Sequence, residues 1–162
     1  MLQPCLWFDD QAEDAARLYT AIFPNSRILS TTTYPEAATE LSGKPAGSVQ
    51  SVEFELDGQR FLGLNGGPLF KFSEAISFII ECKDQQEVDH YWERLTDGGE
   101  ASNCGWLKDR FGVSWQVVPV RLNQMLREGT PAQVEAVTAA FLQMRKLEVA
   151  PLEEAYARAG SA

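Results

Sequence analysis

C-G-W-L-K-D-R-F-G-V-S-W-Q-V-V-P, residues Cys104 to Pro119, is the stretch whose reading decides the fold. Small and aromatic residues lead into Asp109-Arg110-Phe111-Gly112, and an apolar run closed by Pro119 follows. Turn chemistry between two apolar runs specifies a β-hairpin. Its second arm alternates: Val113, Trp115 and Val117 share one side of a strand, and Ser114, Gln116 and Val118 share the other. A strand that packs tryptophan on one face and presents an amide on the other has the character of a cavity wall.

Working outward, the same pattern occurs twice. Ile76 to Cys82 reads as a strand, and Asp84 as a helix N-cap with Glu87 three residues on. The helix that follows should bury Val88, Tyr91, Trp92 and Leu95 and stop at Asp97-Gly98-Gly99. Near the start of the chain, Gln3 to Phe8 is a strand and Asp10-x-x-Glu13 the equivalent cap. The helix after it should bury Ala15, Leu18, Tyr19 and Ile22 and end at Pro24-Asn25. Ser26 to Tyr34 has the β-branched composition of an edge strand, and Pro35 to Gly47 that of a loop. Ser48 to Leu56 and Arg60 to Asn65 alternate about Asp57-Gly58, a strong hairpin signal. The order β-α-β-β-β thus appears twice, an internal duplication. Beyond Pro119 the chain turns helical: Leu122, Met125 and Leu126 form a short stripe. Thr130-Pro131-x-Gln133 caps a second helix with Val134, Val137, Phe141 and Met144 on its apolar face, and Pro151 starts a last turn.

Composition narrows the function. The 162 residues suffice for one compact domain or two small modules. Fourteen basic against 23 acidic residues, a net charge of −9, argue against nucleic acid or an anionic membrane as partner. No apolar run approaches the ~20 residues of a membrane span, and Met1 to Asp10 carries no signal-peptide pattern. Cys5, Cys82 and Cys104 are widely spaced and odd in number, which predicts reduced thiols in a cytoplasmic protein.

Four segments carry a family resemblance: P-C-L-W-F-D-D-Q-A-E-D-A at Pro4 to Ala15, F-P-N-S-R-I at Phe23 to Ile28, L-N-G-G-P at Leu64 to Pro68, and the hairpin at Cys104 to Gln116. With them the chain resembles the PhnB-like family, whose sequences often carry the label 3-demethylubiquinone-9 3-methyltransferase. That family lies within the glyoxalase, bleomycin-resistance and dioxygenase (vicinal oxygen chelate) superfamily. The resemblance implies an α+β fold: two βαβββ modules forming an open eight-stranded mixed-sheet cup with helices outside, plus C-terminal helices. The expected divisions are 1–68, 69–120 and 121–162, and the resemblance implies a homodimer.

Metal-dependent members of the superfamily place His, Glu or Gln ligands on the first and last strands of each module. The matching positions here fall near Gln3, Phe61 or Gly63, Ser77 and Gln116. Two neutral glutamines are a poor donor set for a divalent ion. The single histidine, His90, lies on the second helix and is expected to face solvent. Glu53, Glu55 and Glu81 fall on the cup-facing phase, where ordinary solvation accounts for them. No metal and no cofactor are therefore expected. The methyltransferase label finds no support in a nucleotide-binding loop, because Asn65-Gly66-Gly67-Pro68 ends in proline and precedes no capped helix. Cys104 lacks a neighbouring histidine to activate it. Three classes stay open: a metal-free small-molecule protein, a metal-dependent glyoxalase or dioxygenase type, and a sequestering resistance protein. For the first, the expected ligand contacts are Gln3, Trp7, Asn65, Ser77 and Gln116, with Cys104 and Trp106 at the hairpin mouth.

Overall fold

The computed structural model describes residues 2–161. The chain divides into two compact units, Met1–Phe72 and Ser73–Ala162.

In the first unit, β1 (Cys5–Phe8) leads into α1 (Ala12–Ile22), followed by β2 (Arg27–Thr33), β3 (Val49–Leu56) and β4 (Gln59–Asn65). The sheet order is β1-β4-β3-β2, with β1 parallel to β4 and the other pairs antiparallel. Asp57 and Gly58 both have positive φ, +46° and +84°, which makes the β3–β4 connection the type I′ turn that the sequence signals. Alternation then sorts the side chains. Leu6, Phe8, Val52, Phe54 and Phe61 are buried on the face that α1 covers with Ala12, Ala15, Ala16, Tyr19 and Ile22. Leu18 is only half-buried, one step off the stripe. The alanines let the helix lie close: a Cβ on Gly63 of β4 would stand 3.1 Å from the Ala12 Cβ.

Two further expectations fail in this unit. Asp10 does not cap α1; Gln11 occupies the N-cap without a side-chain bond. The Ala12 N–H instead donates to Asn65 Oδ1 at 2.9 Å, a partner far along the chain that no local signal could reveal. The expected loop from Pro35 to Gly47 contains a 3-10 turn (Glu36–Ala38) and the short helix α2 (Thr39–Ser42), ended by Gly43 at φ +67°. Helix formers between the two prolines explain that turn.

The second unit repeats the topology. β5 (Phe78–Cys82), α3 (Gln85–Thr96), β6 (Glu100–Ala101), β7 (Trp106–Lys108) and β8 (Ser114–Pro119) form a sheet of order β5-β8-β7-β6, with β5 parallel to β8. The recurrence of one strand order in both units is the structural counterpart of the duplication, and the two mixed sheets place the chain in the α+β class. Asp84 caps α3, accepting from the Glu87 N–H at 2.9 Å. Glu87 closes the cap one residue earlier than a standard box, accepting from the Lys83 N–H. Ile80, Cys82, Val88, Tyr91, Leu95, Leu107, Trp115 and Val117 form the core beneath the helix. Trp92, expected to be enclosed, is half-buried, as is Phe78.

α4 (Val120–Glu128), α5 (Pro131–Phe141) and α6 (Val149–Gly160) belong to this unit and build a separate small core from Leu122, Met125, Val137, Leu147 and Leu152. The Thr130–Gln133 capping box is formed as expected. α6 is a full helix rather than a last turn: Pro151 sits in its first turn, where a missing N–H costs little, and Leu152 anchors it. The C-terminal helices and the link between α5 and α6 meet the sheet and its hairpin. Val118 packs against their core, and the Cys104 and Gly105 N–H groups donate to the Met144 and Arg145 carbonyls.

Candidate functional site

The hairpin owes its shape to Asp109, which is 3% exposed. Its Oδ1 accepts from the Phe111 N–H (2.9 Å) and the Val113 N–H (3.1 Å), and its Oδ2 accepts from the Trp115 indole at 2.9 Å. One carboxylate therefore ties the turn to the tryptophan that anchors β8. A buried carboxylate is tolerated when hydrogen bonds meet it from several directions.

With Trp115 and Val117 fixed under α3, β8 must turn Ser114, Gln116 and Val118 to the opposite face, where Val118 meets the C-terminal core. Register extends that face across the sheet: Ile79 stands beside Gln116, Gln116 beside Trp106, Ser114 beside Lys108, and Lys108 beside Glu100. Gln116 Nε2 donates to Ser77 Oγ at 2.9 Å, so two of the expected site residues meet. Trp106 is half-buried on the same face. Beside it a pocket of about 100 Å3 is lined by Glu74, Glu100, Ser102, Trp106, Lys108 and Ser114, with Leu107. Lys108 Nζ lies 2.5 Å from Glu74 Oε1. That hydrogen-bonded pairing raises the Lys108 ammonium above its ordinary range and holds the Glu74 carboxyl below its own. Ser114 is 2% exposed and its hydroxyl has no hydrogen-bond partner among the described residues. Such a buried, unanswered group costs about 1–3 kcal/mol.

Lys108, Glu74 and Ser114 were not among the expected site residues. Arg110, two residues after Lys108, lies beyond the end of β7 in the turn and does not line the pocket. Arg110 instead bonds Asp97, through its Oδ2 at 2.7 Å and its carbonyl at 3.0 Å. The signal available was the i, i+2 spacing of Trp106 and Lys108. Glu74 lies outside any strand and left no periodic trace.

Cys104 takes a left-handed conformation (φ +58°) at the hairpin mouth, half-buried with a free thiol. Its role in the fold is carried by the backbone bond to Met144. Cys82 is buried, and desolvation, reinforced by Glu87 and Asp84, pushes its thiol up to about 12. His90 is exposed, its ring edge-on to Tyr91.

On the first sheet, Gln3 and Trp7 share the open face with Leu62 and Leu64. Gln3 is exposed and donates to Glu53 Oε1 at 3.3 Å. Glu53 and Glu55 meet Arg60 (3.5 Å) and Arg27 (3.7 Å), which answers their charge on the surface. Trp7 donates its indole N–H to the Gly67 carbonyl at 2.8 Å and meets the Phe70 ring edge-on at 4.9 Å. Gly66 lies flat on the Trp7 ring, where an added Cβ would stand 2.2 Å from a ring carbon. The N-G-G-P segment is thus a wrap around Trp7, not a phosphate loop. Asn65 faces α1 rather than the open side. Its oxygen holds the start of α1 and its Nδ2 donates to the Val49 carbonyl at 3.1 Å.

The superfamily's metal positions can be tested on each sheet separately. On the first, the strand partner of Cys5 is Leu62, while Phe61 and Gly63 turn toward the helix. The positions facing outward are therefore an exposed glutamine and a leucine. On the second they are Ser77 and Gln116, already bonded to each other. These side chains do not fit a divalent ion, which takes imidazole, thiolate or carboxylate donors. Among the described residues no three His, Cys, Asp or Glu side chains come together as a possible metal cluster. No helix among them is long and apolar enough to cross a membrane.

A sequence profile of the family described as 3-demethylubiquinone-9 3-methyltransferase matches residues 1–118. Among solved structures, a PhnB protein from Bacillus cereus is 29% identical with a TM-score of 0.65, over 73% of this chain and 98% of that one. Protein PA1353 from Pseudomonas aeruginosa aligns at 16% identity and TM-score 0.59, over 74% of this chain and 96% of that one. The fosfomycin resistance protein FosX from Listeria monocytogenes, in complex with Mn(II) and sulfate, aligns at 18% identity and TM-score 0.51, over 78% and 94%. The last two share the fold alone. No curated protein matches the chain.

Proposed function

Because the chain belongs to the PhnB-like, 3-demethylubiquinone-9 3-methyltransferase family of the vicinal oxygen chelate superfamily, we propose that it binds a small organic molecule without a divalent metal. The observation that carries this reading is the Gln116–Ser77 bond at 2.9 Å, standing where metal-dependent relatives would present ligands. An amide and a hydroxyl that satisfy one another can exchange that bond for bonds to a neutral polar ligand. Trp106 on the same sheet offers a flat apolar surface, and Gln3 and Trp7 provide comparable groups on the first sheet. The family's description does not supply a mechanism: neither sheet is a doubly wound nucleotide fold, and the glycines sit against Trp7. The protein acts as a homodimer in this proposal, supported by the exposure of Ile76 (75%), Ile79 (60%) and Leu142 (56%).

Native mass spectrometry of freshly purified protein tests the reading. A dimer carrying an organic ligand and no metal is expected. Gln116→Leu should weaken retention of that ligand about tenfold while the protein stays folded, since one hydrogen-bonding partner is lost. Stoichiometric metal in the purified protein, or retention unchanged in the variant, would overturn it.

A further inference from the structure

We propose that the pocket beside β6, β7 and β8 is a subsite for a small carboxylate bearing a flat apolar group, and that Glu74 occupies the ligand carboxylate's place in the unliganded protein. The inference rests on the reading of the second sheet's open face as a ligand wall and adds the ligand's chemical class.

Three observations converge. Lys108 is the pocket's cation, and its ion-pair partner among the described residues is Glu74, at 2.5 Å. The Glu74 side chain is 60% exposed against 37% for Lys108, so the glutamate reaches in from solvent and can return there at little cost. The second observation is independent of charge. Ser114, beside Lys108 in the strand register, is 2% exposed, lines the pocket and has a hydroxyl with no partner among the described residues. Glu74 answers the ammonium and leaves that hydroxyl unanswered. A ligand carboxylate has two oxygens and can accept from both, one from Lys108 and one from Ser114.

The third observation sets the rest of the ligand. Trp106 lies two residues from Lys108 on the same face, about 7 Å along the strand. An apolar group attached to the carboxylate would lie against the indole. Glu100 stands beside Lys108 on the other side. Its charge disfavours a second acidic group there, so a monocarboxylate fits better than a dicarboxylate.

The test uses the full-length protein, benzoate as probe, acetate as the carboxylate without the apolar group, and succinate as the dicarboxylate. Calorimetric titration should show benzoate binding more tightly than the other two. Glu74→Gln removes the competitor and should tighten benzoate about two- to five-fold, the worth of a partly exposed ion pair. Lys108→Met should weaken it about tenfold or more, and Ser114→Ala by a smaller factor. Lys108→Gln serves as a second variant should the methionine protein fold poorly. Benzoate that binds equally to wild type and both Lys108 variants would overturn the proposal. So would an unchanged or weaker affinity in Glu74→Gln, or no benzoate binding to that variant at millimolar concentration. If a carried ligand still depends on Gln116 while benzoate ignores Lys108, the carboxylate subsite falls and the small-molecule reading stands. If Gln116→Leu also leaves ligand retention unchanged, both fall.

Discussion

Opposite Cys5 on the last strand of the first module stands Leu62; opposite Ile79 on the last strand of the second stands Gln116. The two sheets have the same strand order, so these residues occupy one topological position, with an apolar side chain in one copy and an amide in the other. The helices differ in the same spirit. α3 is started by its neighbour Asp84, whereas α1 is started by Asn65 from the far end of its module. Duplicated topology evidently fixes which positions face outward and leaves their chemistry free. In this chain Gln116 and Ser77 bond each other on the second module's sheet, while at the end of the first module's last strand Asn65 is taken up in holding α1.

Substitutions can break that contrast. The largest effect is expected at Asp109. Asp109→Ala leaves an indole and two backbone N–H groups without their acceptor and should cost about 3–4 kcal/mol in chemical denaturation. Asp109→Asn keeps one acceptor oxygen and should cost about half as much. Next come two changes at the end of the first module's last strand. Asn65→Ala strips a buried helix start and should cost about 2 kcal/mol, against about 1 kcal/mol for the local cap in Asp84→Ala. Equal losses at Asn65 and Asp84 would erase the distinction between long-range and local capping. Gly66→Ala should cost about 1–3 kcal/mol through displacement of the Trp7 ring, seen also as a shift in tryptophan fluorescence.

The smallest effect is electrostatic. In the second unit, Lys146 bonds Asp89 at 2.6 Å and, with Gln85, holds the Asp89 carboxyl below its ordinary range. A carboxyl lowered by folding contributes stability above its unfolded value, near about pH 4, and loses it as pH falls through the lowered folded value. Lys146→Gln should therefore melt slightly below wild type at pH 6, and the gap should narrow as pH falls below about 4. A gap that does not narrow with falling pH would assign Lys146 a packing role instead.

These contrasts also mark how far the sequence could be read. Alternation along β8 separated Trp115 from Gln116 because a strand's period of two is independent of context. The Asp57-Gly58 turn and the Thr130 capping box were legible for the same reason: their chemistry is local. Asn65 read as a ligand contact because it ends a strand, yet the parity of that strand turns it toward α1. Glu74 and Asp109 were hidden differently. Each works through partners set by the folded hairpin, and a carboxylate in a turn carries no periodic sign of being buried or paired. Gln116 was thus legible from the alternation of β8, whereas Glu74 comes from a turn and left no trace. Lys108 and Ser114, although on β7 and β8, gained meaning only from their cross-strand pairing.

The most direct test of the account is a melting curve of metal-stripped protein with and without one equivalent of zinc, nickel, manganese or iron(II). An ion that binds the folded state raises its melting temperature by mass action. With Leu62, Gln3, Ser77 and Gln116 at the outward positions, the melting temperature should stay unchanged with every ion. A rise of several degrees at stoichiometric metal would contradict the metal-independent reading.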